Sequence, residues 1–142
     1  MNTAEAFAEA TPRTARWQVT SGRVLSGIVA LFLLMDGGMK LVPLQVVIDT
    51  TAQLGWSTDP AGLRLLGGLL IAATLLYLFP STSILGAILI TAYLGGAVAT
   101  HARIGSPLLS HTLFGTYLGV MIWGGLWLRD PRLRALLPIR NA

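Results

Sequence analysis

The chain has 142 residues, of which 54% are hydrophobic and 11% charged, with a formal net charge of +4 and a mean hydropathy of +0.68. A soluble domain carries roughly a quarter charged residues, so this composition belongs in lipid, and the length leaves no room for a separate soluble catalytic domain. Cysteine is absent, which removes disulfides, iron–sulfur clusters, thiolate nucleophiles and the Cys pairs of membrane thiol oxidoreductases.

Residues 1–16 carry Glu5, Glu9, Arg13, Arg16 and Pro12 and are expected to form a flexible cytoplasmic tail rather than a signal peptide. From Trp17 the chain becomes apolar. Arg23 to Lys40 covers about 25 Å as a helix, nearly the hydrocarbon thickness of about 30 Å, with Asp36 inside it and Pro43 closing it. Leu44, Val47, Ile48, Thr51 and Leu54 then recur at helical spacing opposite Gln45, Asp49 and Gln53, predicting a short interfacial helix before Trp56 at an aromatic-belt position. Asp59 ahead of Pro60 predicts an N-cap, with a second span to Phe79 that Pro80 ends; Arg64 lies one turn inside it.

A tight turn, Pro80-Ser-Thr-Ser83, leads to a third span from Ile84 to Thr100, on which Ala87, Thr91, Gly95 and Ala99 at four-residue spacing predict a close packing face. His101 and Arg103 follow, a Gly/Pro loop turns the chain, and a fourth span runs from about Leu109 to Leu128 with His111, Gly115, Gly119 and Trp123 at the same spacing. Asp130-Pro131 caps a short amphipathic segment within a basic tail, residues 129–142, placing Leu133, Leu136 and Leu137 against Arg132 and Arg134. The expected fold is all-α: an integral membrane antiparallel four-helix bundle over residues 17–128, with short interfacial helices.

Seven basic residues (Arg13, Arg16, Arg23, Arg129, Arg132, Arg134, Arg140) lie on one side of this arrangement and three (Lys40, Arg64, Arg103) on the other. The positive-inside rule then puts both termini in the cytoplasm, and Asp36, Lys40, Arg64, His101, Arg103 and His111 in the outer half of the bundle. Asp36 and Lys40, four apart, share a helix face and can pair. Intramembrane ionisable groups suggest a function by default, although such a pair also serves as a self-neutralised anchor. Two histidines ten residues apart make an incomplete metal site that Asp36 would complete only if the bundle folds it toward them, so neither metal nor haem is expected. Tyr93 and Tyr117 could hydrogen-bond a quinone carbonyl, or simply pack. The Gly-Gly pairs follow no strand, and no phosphate loop or nucleic-acid partner is implied.

Several stretches resemble the DoxX-like family of small bacterial four-helix membrane proteins. They are Phe32-Leu-Leu-Met-Asp-Gly-Gly-Met-Lys-Leu41, Leu75-Leu-Tyr-Leu-Phe-Pro80, Ile84-Leu-Gly-Ala-Ile-Leu89, Thr91-Ala-Tyr-Leu-Gly-Gly-Ala-Val-Ala-Thr-His-Ala-Arg103, Ser110-His-Thr-Leu-Phe114 and Tyr117-Leu-Gly-Val120. The likeness covers about residues 22–137, and its Thr-His-x-Arg and Ser-His segments are the most specific. It implies a bacterial inner-membrane protein and, by analogy with the thiosulfate:quinone oxidoreductase subunit that names the family, a place beside quinone or sulfur redox chemistry. Leu70 stands where members often carry Glu, and Ser106 where they carry an acidic or amide residue, which counts against proton-coupled chemistry.

The expected function is therefore binding of a small lipophilic or anionic ligand, or a quinone, at an outer polar cluster of Asp36, Lys40, Arg64, Tyr93, His101, Arg103, His111 and Tyr117. The protein would act as a redox-associated subunit in contact with membrane lipids and a complex partner or second copy, rather than as a stand-alone enzyme. A ligand-free assembly subunit and a small proton-coupled transporter are the alternatives.

Overall fold

A computed structural model describes residues 15–137. The elements are α1 (Arg16–Leu41), α2 (Gln45–Gln53), α3 (Pro60–Leu78), α4 (Ser83–Arg103), a π-helical turn (Leu108–Thr112), α5 (Phe114–Arg129) and α6 (Pro131–Leu136). Of the predicted tails, residues 1–14 and 138–142 lie outside the described residues, while Arg16 already belongs to α1.

Both caps anticipated from Asp-Pro pairs are formed. The Asp59 carboxylate accepts the Gly62 N–H at 3.1 Å, and that of Asp130 accepts the Arg132 N–H at 2.9 Å. In each case Pro occupies the first helical position, where no N–H is needed.

Helices α1, α3 and α4 are long and apolar enough to cross a bilayer. The predicted fourth span differs, because it is broken into the π-helical turn and a 16-residue α5. Pro107 has no N–H to continue a helical ladder, and its carbonyl instead accepts from both His111 and Thr112, each at 3.1 Å. The Thr112 hydroxyl donates to the Ser106 carbonyl at 3.2 Å and fixes the wide turn. α4 also continues one turn beyond Thr100, so His101 and Arg103 are helical rather than in the loop.

α1 packs on α3 and α5, and α4 packs on the same two, closing a ring of four. The neighbours are antiparallel. Arg64 near the start of α3 reaches Leu41 at the end of α1, and Gly22 near the start of α1 meets Gly125 and Arg129 at the end of α5. Val29, Leu33, Leu70, Tyr77, Ile90 and Ile122 fill the centre. Large apolar side chains also face outward, Leu31 being 71% and Val120 67% exposed. An apolar core inside an apolar exterior is what a lipid solvent requires, since burial from water no longer sorts side chains.

Two glycine crossings set the helix spacing. A Cβ on Gly22 would lie 2.8 Å from the Gly125 carbonyl oxygen, and one on Gly67 would lie 2.6 Å from that of Gly37. The predicted packing face on α4 is used only in part, the Thr91 hydroxyl accepting the Trp123 indole N–H of α5 at 2.9 Å. Ala87 is buried, but Thr91, Gly95 and Ala99 are exposed, and Ile90 and Leu94 point inward instead. Small residues permit close approach, whereas Ile90 and Leu94 gain more dispersion contact in the core and so decide the rotation of the helix. On α5, Gly115 does touch Leu94 and Val98 of α4, while Gly119 meets nothing within 4 Å.

At the end holding the bundle's N-terminus, the Tyr77 hydroxyl donates to the Ile122 carbonyl at 2.9 Å and lies 2.7 Å from the Ser26 hydroxyl, joining α1, α3 and α5. The Arg129 guanidinium donates to the Tyr77 carbonyl and sits 5.2 Å from the Tyr77 ring centre.

Candidate functional site

The opposite end holds a cavity of about 530 Å³, bounded by α1, α2, α3, α4 and the chain from His111 into α5. α1 contributes Asp36 and Lys40, whose ion pair closes at 2.5 Å with Asp36 30% and Lys40 18% exposed. Their placement depends on Gly67. A Cβ there would come within 2.9 Å of Lys40 Cβ, so the missing side chain lets the lysine stem lie across α3.

Tyr93, from the middle of α4, presents its ring to the same space, and its hydroxyl has no hydrogen-bond partner among the described residues. His101 comes from the last turn of α4 and His111 from the π-helical turn, with ring centres 5.9 Å apart and planes tilted by 58°. Each ring is held through Nδ1, His101 at 3.0 Å from the Ser106 hydroxyl and His111 at 2.8 Å from that of Ser110. That leaves each Nε2 unpartnered among the described residues. No group of three His, Asp or Glu side chains placed to hold a metal occurs among them.

Five of the eight candidate residues thus line one cavity: Asp36, Lys40, Tyr93, His101 and His111. The other three do not. Arg64 is exposed and donates through Nε to the Leu41 carbonyl at 3.4 Å, closing the end of α1. Arg103 donates through Nη2 to the Leu54 carbonyl at 2.8 Å. Tyr117, 45% exposed, lies on the outer surface of α5.

Other lining residues are not among the eight site candidates. Phe32 and Phe114 meet edge-to-face at 5.5 Å on one wall. α2 supplies Val46, Val47, Thr50 and Thr51, with Val47 buried. The Trp56 indole N–H donates to the Thr100 hydroxyl at 3.3 Å, so this residue belongs to the cavity edge as much as to a lipid belt. The signal was an apolar helical stripe on α2, which reads identically whether it meets lipid or a cavity.

Apolar walls with a few convergent hydrogen-bonding groups at one end are the arrangement that binds a lipophilic molecule by its body and orients it by its head. Among the described residues, the only full charges on the wall are Asp36 and Lys40, which neutralise each other. The arginines that would attract an anion are engaged with backbone carbonyls elsewhere.

A protein-family model described as the DoxX-like family matches residues 24–125, a stretch that contains every one of these lining side chains. No curated protein and no solved structure matches the chain.

Proposed function

The chain belongs to the DoxX-like family of membrane proteins, and from that premise we propose that it binds a neutral lipophilic molecule, a quinone, as a redox-associated membrane subunit. The observation that carries this reading is the unpartnered Tyr93 hydroxyl facing, with two Nδ1-anchored imidazoles, a cavity with mostly apolar walls. A quinone offers two carbonyl acceptors on a flat apolar ring, which matches donors set in an aromatic and aliphatic wall. An anionic ligand is less well served, since the wall carries no net cation. A proton-coupled transporter is also less well served, because Asp36 is committed to Lys40. In this reading α5 and the π-helical turn together make the fourth span, and the seven-to-three distribution of basic residues supports an orientation with both termini in the cytoplasm of a bacterial inner membrane.

The test uses the full chain in lipid nanodiscs with decylubiquinone as the probe. Saturable quenching of Trp56 fluorescence is expected, absent in Trp56→Phe and weakened roughly two- to tenfold by Tyr93→Phe or His101→Ala, the range of one hydrogen bond. Quenching that rises linearly with membrane quinone and is the same in all four proteins would reject the reading. Topology is read separately by single cysteines at positions 3 and 141, for which no native thiol competes; labelling from the periplasmic side would reverse the orientation.

A further inference from the structure

We propose that α2 is a movable cover over this cavity, and that Thr100 and Arg103, at the end of α4, are the catch that holds it shut. The inference rests on the binding reading above and adds how the site is reached.

α2 is set apart from the other helices in how it is held. The backbones of α1, α3, α4 and α5 approach one another along their lengths, while that of α2 stays largely clear of them all, with the cavity beneath it. Its own side-chain hydrogen bonds are internal: Gln45 to Asp49 at 2.8 Å and Thr50 to the Val46 carbonyl at 2.7 Å. Irregular stretches flank it, residues 42–44 before and 54–59 after. Apart from the Asp59 cap on α3, bonds from this part of the chain to a spanning helix other than α1 occur, among the described residues, at two points just past its C-terminus. Arg103 Nη2 donates to the Leu54 carbonyl, and Trp56 Nε1 donates to the Thr100 hydroxyl.

The catch is built for those two contacts. Thr100 spends its proton on the Gly96 carbonyl, at 2.9 Å, so its oxygen is left to accept the indole N–H. Thr100 and Arg103 are three apart and share a helix face; Thr100 and His101 both border the cavity, whereas Arg103 does not line it. Gly55 has φ +73°, a left-handed conformation, and a Cβ there would sit 3.1 Å from the Arg103 guanidinium. Glycine therefore makes both the turn and the room for the arginine. The Thr-His-x-Arg segment thus divides its work: His101 faces the ligand space, Arg103 holds the cover, and Thr100 holds it from the cavity edge.

Both catch bonds lie at the exposed surface of the bundle, so each shifts an opening equilibrium roughly two- to tenfold. The experiment places a single cysteine at Val47, on the buried face of α2, in the full chain in nanodiscs, and measures its rate of modification by a water-soluble methanethiosulfonate. Thr100→Val with Arg103→Gln is expected to raise that rate at least about fivefold, while leaving a control cysteine at Ile122 unchanged; Arg103→Lys should restore part of the protection. An unchanged rate at Val47 overturns the proposal, and so does an equal rise at Ile122, which would mean general loosening. Decylubiquinone separates this from the binding reading. Catch-dependent rates that quinone does not slow would keep the cover and reject the quinone. Quinone protection that is indifferent to the catch would keep the quinone and reject the cover.

Discussion

Gly67 and Gly68 are adjacent on α3, yet substitution by Ala should move stability in opposite directions. At Gly68 a new Cβ meets nothing within 4 Å, so the change adds only helix propensity, a gain of up to about 1 kcal/mol. At Gly67 the Cβ would lie 2.6 Å from the Gly37 carbonyl oxygen and 3.1 Å from the Leu41 nitrogen, both backbone atoms that cannot rotate away. Ordinary contact begins near 3.4 Å, so α1 must retreat by about 0.8 Å along a crossing that holds it to α3. Overpacking of this kind costs about 1–3 kcal/mol, which offsets the propensity gain of up to about 1 kcal/mol and leaves Gly67→Ala up to about 2 kcal/mol less stable than wild type. The retreat also carries Lys40 and Asp36 outward, since Lys40 Cβ is the second atom the new methyl would meet, at 2.9 Å. Thermal or SDS unfolding in one detergent would rank the three proteins as Gly68→Ala, wild type, Gly67→Ala. Quinone affinity should fall only in the last. A Gly67→Ala protein as stable as Gly68→Ala would refute the claim that backbone contact sets the α1–α3 spacing.

Tyr77→Phe should lose about 0.6–1.7 kcal/mol, the range of interhelical hydrogen bonds in membrane proteins, because the Tyr77 hydroxyl bonds both Ser26 and the Ile122 carbonyl; adding Ser26→Ala should cost little more, and strictly additive losses in a double-mutant cycle would contradict the shared bond. Asp36→Leu or Lys40→Leu alone should cost about 1–3 kcal/mol, less than a fully buried pair because both groups keep some solvent contact, whereas the double change should melt within about 1 kcal/mol of wild type. If that double mutant also binds quinone normally, the pair is an anchor and not part of the site. Gly55→Ala should strain the left-handed turn, crowd Arg103 and raise modification at a Val47 cysteine as the catch variants do, a result checked by the same thiol assay.

The membrane class, the approximate positions of three spans and both Asp-Pro caps could be read from residues, because each depends on the chain within a few positions of itself. Apolar runs of span length have one way to satisfy their backbone in lipid, and an Asp before Pro meets the N–H that donates to its carboxylate two or three residues on. The family likeness was legible for a related reason: its motifs are contiguous. The gathering of Asp36, Lys40, His101 and His111 at one end also followed, since alternating spans must bring the ends of α1 and α4 to the same face.

Which way each helix is turned was not legible. Thr91, Gly95 and Ala99 form as good a stripe as Ala87, Ile90 and Leu94, and in lipid both faces are apolar, so hydropathy cannot choose between them. The same ambiguity hid the inward face of α2 and drew Arg64, Arg103 and Tyr117 into a site that only five of the eight residues share. Charge and spacing determined that polar groups would meet near one bilayer face; packing volume, through the Gly37–Gly67 crossing and the wide turn after Pro107, decided which of them look into the cavity and which hold its edges. That division arises because rotation about a helix axis costs nothing in local structure and is fixed only by the side chains of other helices.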